Sequence, residues 1–187
     1  DGQTGVPPPI PLGAGDRVEY DVAPDGRVVM SVLGFQFPDR DRIPEEFIKN
    51  GVAMPPYRNS LIVSDPTNPE STTPILVSKD DKMAASKPLF SPDGKRLLVL
   101  FGTFSDTGQF TAQRLVNAPS DGAAEGANAV ADGNVLEATW SPDSAEVAFV
   151  RRDGGRRALY TVPATGGQPQ AVGSEGNFGQ PRFSPQK

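Results

Sequence analysis

The stretch W-S-P-D-S-A-E-V-A, residues 140–148, recurs as F-S-P-D-G-K-R-L-L at residues 90–98 and as V-A-P-D-G-R-V-V-M at residues 22–30. A fourth, shorter copy is F-S-P at residues 183–185. The shared prolines stand at intervals of 68, 50 and 43 residues. Two of these intervals are close to the period of roughly 40–50 residues that several repeat architectures use. The recurrence therefore predicts an array of similar structural units.

Each copy has the composition of a strand end, a tight turn and a second strand. Proline fixes φ for the second position of a β-turn, Asp hydrogen-bonds the backbone two residues on, and Gly adopts a left-handed φ at little cost. The residues after each turn, at 27–33, 95–101 and 146–150, are largely aliphatic or β-branched. Their nearly continuous apolar character predicts strands buried on both faces, in sheets stacked against one another.

Composition agrees with turn-rich β-structure. Gly and Pro contribute 20 residues each to the 187 of the chain, more than an average globular protein contains. The net charge of −5 argues against nucleic acid as a partner, because phosphate binding needs clustered Lys and Arg. No run of about 18 apolar residues occurs, so no transmembrane segment is predicted in this chain.

The turn signals divide the chain into about three four-stranded units and one further strand. Residues 1–15, rich in Pro and Gly, are predicted to be an extended tether, and residues 16–187 to be the repeat units, with an insertion at about 34–59. The predicted strands of the first unit are 17–22, 27–33, 61–64 and 75–78. Those of the second unit are 87–90, 95–101, 111–116 and 127–130. Those of the third unit are 136–140, 146–150, 157–162 and 169–172, and residues 180–183 begin a fourth.

Residues 140–172, W-S-P-D-S-A-E-V-A-F-V-R-R-D-G-G-R-R-A-L-Y-T-V-P-A-T-G-G-Q-P-Q-A-V, closely resemble the blade repeat of TolB-type β-propellers. That repeat reads F-S-P-D-G, an aliphatic strand, R-D-G, L-Y and then G-G. Residues 90–101 are similar over the first half of the repeat, and Ser144 stands where it usually has the turn Gly. The resemblance implies an all-β fold of propeller blades, protein partners, and an extracytoplasmic setting, either periplasmic or at the cell surface.

Three blades and one strand do not make a closed propeller. Propellers close with typically 4–8 blades, because closure protects the strand edges from unwanted pairing. We therefore expect this partial propeller to be completed by further chain or by a partner, which is another subunit or a second copy of the chain.

The residue types do not support a catalytic site. The absence of His excludes Ser-His-Asp arrangements and imidazole metal ligands, and the absence of Cys excludes thiolate chemistry. The pair Asp39 and Asp41 lacks the ligand spacing of a calcium loop. The recurring Asp25, Asp93 and Asp143 are explained by turn formation. We therefore predict that the chain is not an enzyme and carries no catalytic residue, metal or cofactor.

The insertion is the first candidate for a partner-binding surface. Pro and acidic residues at 44–46 followed by Asn-Gly at 50–51 favour a short helix there. Aromatic, Met and aliphatic side chains in a loop have the composition of an interface core, although they also suit packing of the insertion onto its own blade. The predicted partner-binding residues are Phe35, Phe37, Phe47, Ile48, Met54 and Tyr57.

A second candidate surface is a hairpin tip with four arginines, which suits an acidic partner, a phosphate or anionic lipid at a membrane surface. Only R-D-G at 152–154 belongs to the repeat pattern, so the remaining arginines are not explained by the fold. The alternative is an ordinary solvated hairpin. The residues are Arg151, Arg152, Arg156 and Arg157.

Three functions remain open. The first is a non-catalytic protein-binding or scaffold module that acts through a rigid surface and strand-edge complementarity in a larger assembly. The second is the propeller portion of a larger hydrolase resembling prolyl oligopeptidases. The third is a self-assembling structural subunit.

Overall fold

The computed structural model describes residues 17–34, 58–65, 67–77, 83–104, 110–123, 126–172, 176 and 178–184. Within these ranges every helix or strand is a β-strand, and twelve strands form three antiparallel sheets of four, which we call blades 1, 2 and 3. Blade 1 contains β1 (Arg17–Val22), β2 (Val28–Gly34), β3 (Arg58–Asp65) and β4 (Asn68–Val77). Blade 2 contains β5 (Met83–Phe90), β6 (Arg96–Phe104), β7 (Phe110–Pro119) and β8 (Asn128–Asp132). Blade 3 contains β9 (Val135–Trp140), β10 (Glu146–Asp153), β11 (Arg156–Pro163) and β12 (Gln170–Ala171).

The repeated Pro-Asp phrase forms the turn between the first two strands of each blade. In blade 2 the Ser91 N–H donates to Arg96 O at 2.9 Å and the Gly94 N–H donates to Ser91 O at 2.8 Å. Asp93 Oδ1 accepts the Lys95 N–H at 3.1 Å and the Ser91 hydroxyl at 2.6 Å. The Asp93 carboxylate and the Ser91 hydroxyl therefore form hydrogen bonds within the turn, as the sequence predicts.

The core lies between the blades, in two clusters of buried side chains. Leu97 and Val99 of β6 belong to the cluster shared with blade 1, whereas Leu98 and Leu100 belong to the cluster shared with blade 3. Side chains alternate between the two faces of a strand, so β6 is buried on both faces. The prediction of stacked sheets from continuous apolar runs is confirmed here.

One residue position shows how consecutive blades pack. Phe90 and Trp140, each two residues before the turn proline, are both only 5% exposed. Phe90 packs among blade 1 residues, and Trp140 packs among blade 2 residues and donates its indole N–H to Leu89 O at 3.2 Å. Val22 holds the same position in blade 1 and is 51% exposed. The first strands of blades 2 and 3 therefore pack an aromatic residue on the preceding blade.

The predicted strands agree with the observed ones in order and pairing. The all-β fold of four-stranded blades is confirmed. Five observed strands are one to three residues longer than predicted, four are four to six residues longer, two have the predicted length and β12 is shorter. Residues 180–183, predicted as the first strand of a fourth blade, have no strand partner within the described part of the chain. The tether at 1–15 and nearly all of the insertion at 34–59, with its predicted helix, lie outside the described residues.

Candidate functional site

Four residues at one repeat position line a single cavity of about 580 Å³. They stand five residues before the turn proline of their copies, and they come from β1, β5, β9 and the segment that follows blade 3. The repeat therefore brings residues from the three first strands and from the segment after blade 3 to one place. The four residues are Glu19, Lys87, Glu137 and Gln180.

The two glutamates of this set each accept a main-chain N–H from the segment that follows their own blade. Glu19 Oε2 accepts the Lys87 N–H at 2.6 Å and the Ser86 hydroxyl at 2.6 Å. Glu137 Oε2 accepts the Gln180 N–H in the same way. Hydrogen bonds to an ionised carboxylate are about twice as strong as bonds between neutral groups. We call this contact the carboxylate clamp.

The main chain of the clamped residues is unusual. Lys87 has φ of +51° and Gln180 has φ of +46°, and each precedes a proline, Pro88 or Pro181. A positive φ in a residue other than Gly costs of order 1–3 kcal/mol and persists only where the surroundings hold it. The pairing of β5 with β6 also shifts register between Ser86 and Leu89. The bulge turns the Lys87 N–H towards Glu19.

Lys87 makes the corresponding contact between blade 2 and blade 3 through its side chain. Its Nζ donates to Leu136 O of β9 at 3.0 Å. Each of the three residues Glu19, Lys87 and Glu137 therefore contacts the segment that follows its own blade. The rim of the cavity is built from these contacts, so its shape depends on how the blades are stacked.

The wall of the cavity is apolar. Leu98, Leu100 and Leu115 reach it from the core between blades 2 and 3, and Leu89 and Ala138 line it from first strands. A concave site of 300–1,000 Å³ with an apolar wall and a few polar groups is typical of ligand pockets. The cavity can therefore accept an apolar group and orient it through its polar rim.

Two rim side chains make no hydrogen bond or ion pair in the described part of the chain. Arg182 is exposed and lines the cavity beside Gln180. Tyr20 is 70% exposed and lines it beside Glu19. Guanidinium and phenol groups both donate hydrogen bonds. They leave donor capacity at the rim for a bound group.

None of the four residues of the predicted arginine surface is in the cavity lining. Arg151 donates to both oxygens of Asp153, at 2.9 and 3.1 Å, and its guanidinium lies 4.6 Å from the ring centre of Tyr160. Tyr160 donates its hydroxyl to Asp153 at 2.6 Å. The Arg151 and Tyr160 hydrogen bonds hold the pKa of Asp153 below its usual value. Arg151 also donates to Asp132 O of blade 2 at 3.4 Å, so its guanidinium is already bonded within the fold.

The other arginines of the tip differ in exposure. Arg152 and Arg156 are exposed and Arg157 is half-buried. Their role in binding a partner stays a prediction. The aromatic and aliphatic residues of the insertion, at 35, 37, 47, 48, 54 and 57, lie outside the described residues, and their role stays a prediction as well.

The cavity residues were not singled out from sequence. The signal that could have found them is their constant spacing of five residues before the turn proline, together with Pro at the next position in K-P at 87–88 and Q-P at 180–181. Among the described residues no group of three or more acidic side chains is placed to hold a metal ion, and no helix there is long and apolar enough to cross a membrane.

Comparison with known proteins identifies the fold. No protein-family model and no curated protein matches the sequence. Among solved structures, the chain is similar to the β-propeller domain of the Trilobed protease from Pyrococcus furiosus, which is described as having an open velcro topology. The fold is that of a β-propeller. The two share 14% sequence identity with a TM-score of 0.53, over 90% of this chain and 44% of that one. This propeller chain therefore spans less than half the length of its structural relative.

Proposed function

We propose that this propeller chain is a non-catalytic protein-binding module, a TolB-like segment that recognises a partner at the cavity lined by the first strands. The observation that carries the proposal is the cavity itself, whose apolar wall is surrounded by a polar rim. The resemblance of residues 140–172 to the TolB-type repeat supports an extracytoplasmic assembly as its setting.

Preorganisation of the rim supports a binding role. The carboxylates of Glu19 and Glu137 and the ammonium of Lys87 are held by hydrogen bonds to the next segment of the array. A site whose groups are already ordered loses less conformational entropy when a partner binds. The rigid surface predicted from sequence would thus reside at the stacked first strands.

The character of the rim favours a protein partner. Tyr20 projects into solvent at the edge of the cavity, and Arg182 stands on the same rim. Tyr and Arg are enriched in protein interfaces and among the residues that dominate their binding energy. A partner segment would insert apolar side chains into the cavity and contact these two residues at its edge.

Filling the cavity tests the proposal. Ala138 lines the cavity and Ala129 is exposed on β8, so Ala138→Phe and Ala129→Phe add the same side chain inside and outside the site. A displayed library of random peptides is selected on the unmodified chain. We expect the selected peptides to bind Ala129→Phe normally and Ala138→Phe at least tenfold more weakly.

Tyr20→Ser serves as a second variant, because an exposed side chain can be removed without disturbing the core. Unfolding midpoints show whether all three variants remain folded. Peptides that bind every variant equally would contradict the proposed site, and so would a selection that enriches no peptide.

The other two functions considered from sequence stay predictions. The structural relative is the propeller domain of a protease, but likeness at this identity concerns the fold and does not extend to hydrolysis. If the chain is the propeller portion of a larger hydrolase, the catalytic residues would lie outside these blades. If the chain is a self-assembling subunit, deletion of residues 180–187 should lower its native mass.

A further inference from the structure

We propose that the cavity selects a bulky apolar side chain that stands within one residue of a carboxylate. This inference rests on the proposed protein-binding function and names the chemistry of the partner segment.

The acidic groups of the rim are engaged. Glu19 accepts two hydrogen bonds from blade 2, and Glu137 accepts the main-chain N–H of Gln180. A cationic ligand would meet carboxylates that already accept hydrogen bonds at Oε2, and it would be repelled by Lys87 and Arg182, which line the same cavity. The structure therefore does not favour a Lys or Arg side chain as the bound group.

The basic groups of the rim retain donors. Lys87 Nζ uses one hydrogen bond to Leu136 O, and an ammonium group has three donors. Arg182 has five N–H donors in a planar fork and no hydrogen-bond partner among the described residues. Arg27, Arg96 and Arg151, in contrast, each bond an acceptor of their own fold. A carboxylate fits the Arg182 fork through two parallel hydrogen bonds.

The leucine wall determines which kind of group can bind deeper in the cavity. Leu98, Leu100 and Leu115 are nearly fully buried and offer no side-chain hydrogen-bonding group to whatever enters. A polar group placed there would lose its hydration without gaining a partner. An apolar side chain would remove further apolar surface from water. Arg182 and this wall line the same cavity of about 580 Å³, so a ligand that uses both carries its carboxylate and its apolar group within the span of that cavity.

The chain carries its own reporter for this site. Trp140 is its one tryptophan, it is buried, and its indole N–H donates to the main-chain oxygen of Leu89, a residue of the cavity lining. A group that enters the cavity changes the surroundings of Leu89, the residue that accepts this hydrogen bond. We expect a change in Trp140 emission on binding, with titration calorimetry as an independent readout.

Three probe peptides separate the possible sources of the carboxylate. The first is acetyl-Gly-Ser-Gly-Phe with a free C-terminus, the second is its C-terminal amide, and the third is the amide of acetyl-Gly-Ser-Gly-Glu-Phe. We expect the first or the third to bind at least tenfold more tightly than the second. Preference for the first assigns the site to a chain terminus, and preference for the third assigns it to an acidic side chain.

Matched arginine variants test the role of the rim. Arg182→Gln removes the guanidinium at the cavity, whereas Arg152→Gln removes an exposed guanidinium that is not in its lining. We expect Arg182→Gln to abolish the tenfold preference and Arg152→Gln to retain it. Arg182→Lys should give an intermediate preference, because a point charge lacks the bidentate geometry.

Two outcomes would overturn the inference. Equal affinity of the amide and both carboxylate peptides, with binding lost in Ala138→Phe, would reject the carboxylate and leave the cavity as a protein-binding site. A carboxylate preference that survives Arg182→Gln would reject the rim assignment. Failure of every probe, together with a library selection that enriches nothing, would instead count against the proposed function itself.

Discussion

Glu19 and Lys87 lie 68 residues apart in sequence, yet the Glu19 carboxylate accepts the Lys87 main-chain N–H at 2.6 Å. The contact joins β1 to β5, and Lys87 adopts a positive φ in making it. Glu137 and Gln180 repeat the arrangement after blade 3. The clamp thus fixes the spacing of neighbouring first strands and forms the rim of the cavity at the same time.

Removal of the clamp should lower the free energy of unfolding. We expect Glu19→Ala to cost about 1–3 kcal/mol, because the Lys87 N–H and the Ser86 hydroxyl lose an ionised acceptor. Glu19→Gln retains one acceptor oxygen and should cost less. Urea unfolding followed by Trp140 fluorescence measures the change. Glu146→Ala, at an exposed position, should stay within about 0.5 kcal/mol of the unmodified chain, and an equal loss in both alanine variants would contradict the clamp.

Replacement of one turn residue should stabilise blade 3. Ser144 has φ of +63°, and Gly94 holds the same turn position in blade 2 with φ of +71°. A left-handed conformation is costly for Ser and not for Gly, so Ser144→Gly should raise the free energy of unfolding by about 1 kcal/mol. Ser144→Ala is the matched control, because it retains the Cβ and loses only the hydroxyl that contacts the Asp93 N–H at 3.3 Å. Equal stabilities of the two variants would show that strain at this position is small.

Asn117 should be the most sensitive polar residue of the core. It is buried, its Nδ2 donates to Ala164 O of blade 3 at 2.8 Å, and its Oδ1 accepts from Arg96 Nε at 2.7 Å. Asn117→Ala removes the hydrogen bond to Ala164 O and the one from Arg96 Nε. We expect a loss of about 2–4 kcal/mol in unfolding free energy. Asn68→Ala, at an exposed position of β4, provides the control. A loss below about 0.5 kcal/mol for Asn117→Ala would contradict the assignment of a bond between blades.

Acidification should weaken the turns. The hydroxyls of Ser91 and Ser141 donate to Asp93 and Asp143, and these hydrogen bonds, with others from the turn main chain, hold both pKa values below the ordinary 3.8. A carboxyl group whose pKa is lower in the folded state stabilises it above the unfolded pKa, and this contribution is lost as the pH falls through the folded pKa.

The loss should therefore begin as the pH approaches about 4 and increase below it. Chemical unfolding between pH 7 and pH 3 measures this dependence. The double variant with Ser91→Ala and Ser141→Ala removes both hydroxyl donors, so its stability should be lower at pH 7 and change less on acidification. An unchanged pH dependence in the double variant would exclude these hydroxyls as the cause.

Much of the fold was predictable because it depends on local chemistry. Pro, Asp and Gly at 24–26 and 92–94 define turns by their own conformational limits, and the apolar runs after them define buried strands. The blade 3 strands were predicted to within a few residues for this reason. Strand ends depend on where a neighbouring strand stops pairing, so residues 180–183 have the sequence of a first strand without a strand partner in the described ranges.

The cavity was not predictable in the same way. Glu19, Lys87 and Glu137 are ordinary charged residues in the sequence, and only the stacking of blades brings them to one rim. The arginines at 151–157 attract attention as a cluster, whereas Arg151 is bonded to Asp153 and stacked on Tyr160. Charge density in sequence therefore did not distinguish a bonded arginine from an available one.

The sequence by itself determined the repeat, its turns and the all-β character of the chain, because each follows from backbone conformational preference and from the spacing of apolar residues. The tertiary structure decided which polar groups are paired between blades and which remain available at the cavity. Arg182 and Tyr20 differ from the paired residues only in where the stacked blades leave them. That outcome depends on contacts between segments 43 to 68 residues apart, which no local preference specifies.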